Sequence, residues 1–80
     1  MRDTTDLAVT HVWRNMCGVD LGIVADEVLI ARQRCEIVRY RVHRHVFSAT
    51  IQATFCDRTA MKAICDRVAV RRKMARRGEY

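Results

Sequence analysis

The sequence predicts a small α+β domain in which an antiparallel hairpin is covered on one face by two or three helices. Three observations lead there. Residues 36–55 alternate apolar and polar side chains with a period of two, and residues 20–34 and 57–77 repeat apolar side chains at helical spacing. Glycine occurs only at 18, 22 and 78 and proline is absent, so residues 23–77 contain neither of the usual chain breakers. Eighty residues make a single domain, 1–80, that buries about 60–65% of the surface its unfolded chain exposes. Half of the residues are apolar, which excludes disorder by composition. No apolar run approaches the roughly 18 residues of a membrane helix.

Residues 5–17 carry two patterns. As a helix, Thr4, Thr5 or Asp6 caps the start, Val9, Val12, Trp13 and Met16 form a stripe, and Gly18 stands at the C-terminal cap position. As a strand, Leu7, Val9, His11 and Trp13 alternate with Ala8, Thr10 and Val12. Caps at both ends favour the helix. Residues 20–34 form a second helix, with Asp20 as cap and Leu21, Val24, Ala25, Val28 and Ala31 on one face.

The hairpin follows at about 36–43 and 46–55. Its simplest register has Arg44-His45 as a two-residue turn, so that Val42 faces Phe47, Tyr40 faces Ala49 and Val38 faces Ile51 on the apolar side. The other side collects Arg39, Arg41 and His43 beside Ser48, Thr50, Gln52 and Thr54. A one-residue slip would destroy this sorting. Arg-His is a poor tight turn, and a four-residue turn centred on the same place preserves the pairing. The last helix, 57–77, is capped by Asp57 or Thr59 and buries Met61, Ile64, Cys65 and Val68. Val70 and Met74 fall off that stripe.

Charge is distributed unevenly. Residues 1–34 hold four basic side chains against five acidic ones, whereas residues 35–80 hold eleven against four. Thirteen of the fifteen basic residues are arginine, the planar fork suited to phosphates and carboxylates. The basic end of the last helix and the tail, 71–80, contain Arg71, Arg72, Lys73, Arg76 and Arg77 within seven positions. Cations favour a helix C-terminus, but five so close together repel one another. Helix stability alone does not account for them.

Residues 21–38, LGIVADEVLIARQRCEIV, resemble a helix-turn-helix DNA-binding segment. Val24, Ala25, Val28, Ile30, Cys35 and Val38 occupy its apolar positions, with Leu29 where the turn glycine is expected. A hairpin and helix behind it suit the winged variant of excisionase type. The resemblance implies a second helix in the major groove, with Arg32, Gln33, Arg34 and Glu36 at base edges.

Cys17, Cys35, Cys56 and Cys65 contain no C-x₂-C pair and match no common zinc spacing. His43 and His45 lie at the hairpin turn, far from Cys35 and Cys56 at its open end. No metal or other cofactor is expected. Asp3 and Asp6 argue against a secretory signal or transit peptide, and free cysteines suit a reducing compartment, cytoplasmic or nuclear. There is no phosphate loop, paired-carboxylate constellation or nucleophile elbow. The expectation is a binding protein and not an enzyme.

Arginine forks among hydroxyl and amide donors suit phosphate and sugar oxygens. The sequence therefore points to a nucleic-acid-binding module, for DNA or RNA. Its contacts would be Arg39, Arg41 and His43 with Ser48, Thr50 and Gln52, joined by Arg71, Arg72, Lys73, Arg76 and Arg77. With Tyr40 and Phe47 expected in the core, no aromatic side chain is offered to bases. The alternative is a protein-interaction module, a small regulator or inhibitor of viral or mobile-element type that docks on an acidic protein surface. There the hairpin edge would add a strand to a partner or to a second copy.

Overall fold

The structure, a computed structural model, describes residues 7–78. Three strands and two helices follow in the order β1 (Val9–Met16), α1 (Gly18–Gln33), β2 (Ile37–Arg44), β3 (Ala49–Phe55) and α2 (Arg58–Arg76). The strands form one antiparallel sheet in the order β1-β3-β2. β3 is thus central, and its flanks β1 and β2 run parallel to each other through α1. The α+β class is as the sequence predicts.

The first element differs from the helix expected over 5–17. Residues 9–16 are a strand, and Thr4, Thr5 and Asp6 lie outside the described residues. β-Branched Val9, Thr10 and Val12 fit a pleated surface, and pairing with β3 supplies backbone partners that a short isolated helix would lack. Gly18 does not end a helix. It opens α1 at φ +56°, just after a bulge in which Asn15 has φ +53°. Cys17 occupies the N-cap position without a side-chain bond, and Asp20 falls in the first turn instead of capping it.

α1 is one unbroken helix through Leu29, and residues 37 and 38 belong to β2. The two helices that a helix-turn-helix segment requires are therefore absent from 21–38. The chain turns instead at Arg34–Glu36. Glu36 N–H donates to Ala31 O at 2.9 Å and Cys35 N–H to Arg32 O at 3.0 Å, with Cys35 left-handed at φ +61°. This is a Schellman closure in which cysteine holds the place glycine normally takes.

The hairpin is real, but its turn lies further along the chain. Arg44 faces Ala49, Val42 faces Ile51 and Tyr40 faces Ala53. Residues His45–Ser48 make a four-residue turn centred on Val46-Phe47, closed by His45 N–H to Ser48 O at 2.8 Å. From Arg39 to His43, and for the β3 residues opposite them, each partner moves by four places, so these side chains keep their expected face. Phe47 is the exception, since it leaves the ladder, and Ser48 joins the turn. Val38 also leaves the apolar side at a bulge between Ile37 and Arg39.

The core lies between the inner sheet face and the helices. Trp13, Met16, Ile51, Ala53 and Phe55 meet Ile23, Val24, Val28 and Ala31 of α1 and Ala60, Ile64 and Val68 of α2. Trp13 and Phe55 pack edge-on with ring centres 6.4 Å apart. Asp57 caps α2, its Oδ1 accepting from Ala60 N–H at 2.7 Å, which contributes about 1 kcal/mol.

Candidate nucleic-acid interface

Cross-strand neighbours share a face of a sheet, so the register defines the side away from the helices. Arg39 is paired with Thr54, Arg41 with Gln52 and His43 with Thr50. On the other flank Thr10 is paired with Thr54 and Val12 with Gln52. Arg14 follows core-facing Trp13, and alternation assigns it to this same outer side. Three arginines and a histidine from two edge strands thus frame a central row of Thr50, Gln52 and Thr54.

The row is ordered by its own hydrogen bonds. The Thr10 and Thr54 hydroxyls lie 2.9 Å apart. The Thr50 hydroxyl accepts from Asn15 N–H at 3.2 Å and lies 3.4 Å from His45 Nε2. Beside it Arg39, Tyr40, Arg41, Gln52 and Thr54 line a depression of about 290 Å³. Arg39 and Arg41 have no carboxylate partner among the described residues. Their guanidinium groups are exposed and available to an anion.

The cations of α2 are placed differently. α2 packs on the inner face, so the sheet and core separate it from Arg39, Arg41 and His43. Arg71 Nη1 donates to Asp26 Oδ2 at 3.0 Å and to Glu27 Oε2 at 3.1 Å. Arg72 reaches both Asp20 oxygens at 3.3 Å. Arg67 Nε lies 3.2 Å from Glu27 Oε1, held by charge without hydrogen-bond alignment. These pairs join α2 to α1, neutralising a Glu27 that is only 5% exposed. Lys73, Arg76 and Arg77 continue beyond them as an exposed basic end. The two cationic sets are separate surfaces, not one patch.

The residues of the helix-turn-helix reading, Arg32, Gln33 and Arg34, sit exposed at the end of α1. Arg32 is engaged with Tyr40: its guanidinium carbon lies 5.3 Å from the ring centre, and Nη1 donates to the phenol oxygen at 3.2 Å. Tyr40 itself is part-exposed against α1, not buried as expected.

Sequence reasoning missed Arg14 and Phe47. Arg14 was hidden by reading 5–17 as a helix, although strand alternation was present in the residues. Phe47 is 89% exposed at the hairpin tip beside Val46 at 87%. The failure of Arg44-His45 as a tight turn was its only signal.

Among the described residues His11 and Cys65 have shifted ionisation. Burial holds the His11 imidazole, packed edge-on against Trp13 at 4.5 Å, below its ordinary value. Partial burial at the edge of the core, and then the neighbouring Asp66 charge, push the Cys65 thiol up; Cys65 is half-buried, not buried as expected. Among the described residues no three His, Cys, Asp or Glu side chains gather at metal-binding spacing, and no helix is long and apolar enough to cross a membrane. No protein-family model, curated protein or solved structure matches the chain.

Proposed function

We propose that this protein is a small nucleic-acid-binding module whose uncovered sheet face receives the sugar–phosphate backbone. One observation carries the reading. Among the described residues Arg39 and Arg41 have no carboxylate partner and share a face with Thr50 and Gln52, whereas Arg71 and Arg72 pair with α1. Guanidinium forks neutralise phosphates, and hydroxyl and amide groups reach sugar and phosphate oxygens. His43 and Arg14 extend the surface at either flank. Lys73, Arg76 and Arg77 form a second, weaker attraction for long polymers that wrap past the sheet.

Titrating isotope-labelled protein with a short oligonucleotide tests this by amide NMR. Shifts should gather at 10–14, 39–43 and 50–54 and spare Arg67–Arg72. Shifts confined to α1 and α2, or none at low salt, would refute the sheet-face assignment.

A second reading, a protein-interaction module, is favoured by a different observation. An apolar groove of about 200 Å³ lined by Ala25, Val28, Leu29, Tyr40, Val42 and Ile51 runs beside β2, an edge strand of the sheet. A partner strand could pair with that edge and fill the groove.

A further inference from the structure

The most exposed large apolar side chains described are the two at the hairpin tip, Phe47 and Val46, at 89% and 87%. They do not sit on a slack loop. The turn is closed by the His45–Ser48 backbone bond, and the ladder is paired up to Arg44 and Ala49 immediately behind it. Between Glu36 and Asp57 the chain has no carboxylate and carries Arg39, Arg41, His43, Arg44 and His45. Whatever meets this tip must offer an apolar face set among anionic groups.

Nucleic acid does so, because every base has a π-face and every base is flanked by phosphates. An anionic bilayer offers the same chemistry less well. The tip presents two side chains, less apolar surface than a single myristoyl chain, and one such chain alone holds a protein to a membrane only marginally. We infer that Phe47 is a base-stacking residue that takes the face of an unpaired nucleobase while Arg39 and Arg41 hold phosphates further along the hairpin. The inference rests on the nucleic-acid reading above and names its substrate class: single-stranded or looped segments. One ring recovers no more than the opening of a duplex step costs, so the base it takes is one already free.

The test compares wild type with Phe47→Ala, Phe47→Leu and Phe47→Trp on a labelled single strand, on its duplex and on phosphatidylserine-containing vesicles. The substitutions lie at an exposed tip, and circular dichroism checks that each variant is folded. Phe47→Ala and Phe47→Leu should each weaken single-strand binding about tenfold while Phe47→Trp preserves it and duplex affinity hardly moves. Equal single-strand affinity for wild type and Phe47→Ala would overturn the stacking role and leave the phosphate-binding face standing. A loss confined to vesicles would also overturn it, assigning the tip to lipid. Wild type that binds no nucleic acid at low salt would overturn both the stacking role and the reading beneath it.

Discussion

Arg41 stands directly opposite Gln52 across β2 and β3, on the side of the sheet away from both helices. The next rung toward the tip pairs Val42 with Ile51 on the core side. Polarity therefore changes rung by rung, and a slip of one residue would carry a guanidinium into the core. The register that fixes the fold also fixes the cationic face.

Cys35 closes α1 in a left-handed conformation, at φ +61°, that costs an L-residue about 1–2 kcal/mol. Cys35→Gly removes that cost and adds back part of it as unfolded-chain entropy. The variant should gain about 0.5–1 kcal/mol in urea unfolding, and Cys35→Val should lose stability. A Cys35→Gly protein no more stable than wild type would contradict the assigned closure.

Glu27 is buried between two arginines of α2. Glu27→Gln keeps its shape but removes its charge, and should lower stability by about 1–2 kcal/mol, discounted for the partial exposure of both arginines. Arg67→Ala should cost less, because Arg67 is half-exposed and Arg71 still serves the carboxylate. Urea denaturation of the single and double variants measures both, and additive effects would show that Arg67 does not stabilise the fold through Glu27.

His11 supplies a pH dependence with a definite sign. Its depressed folded value means that the unfolded chain takes up the proton first as pH falls. Stability is therefore fully present above pH about 6.5 and declines as pH drops through the lower folded value. Unfolding free energy should fall between pH 7.5 and 5.5, and His11→Gln should flatten that slope. An unchanged slope in the variant would place the titration elsewhere.

Much of this architecture was legible in the residues. A period-two pattern assigns faces by parity, so the outer row of Arg39, Arg41 and His43 survived a register whose turn was misplaced. The turn itself was not legible, because His45–Ser48 contains no glycine, asparagine or proline to mark it. β1 was obscured by Gly18, which resembles a helix terminator from sequence and opens α1 in the structure. The separation of the cations into two surfaces was beyond sequence reasoning. Asp20, Asp26 and Glu27 meet Arg71 and Arg72 across more than forty residues of chain, and only the packing of α1 on α2 brings them together.

Phosphate binding by Arg39 and Arg41, as proposed, reads out in the salt dependence of binding. Anisotropy of a labelled single strand, titrated at several salt concentrations, gives the slope of log affinity against log salt. Arg39→Ala with Arg41→Ala should weaken binding and flatten that slope by about 1.4, near 0.7 for each phosphate no longer neutralised. An unaltered slope with the double variant folded would contradict the account and move phosphate binding to another surface.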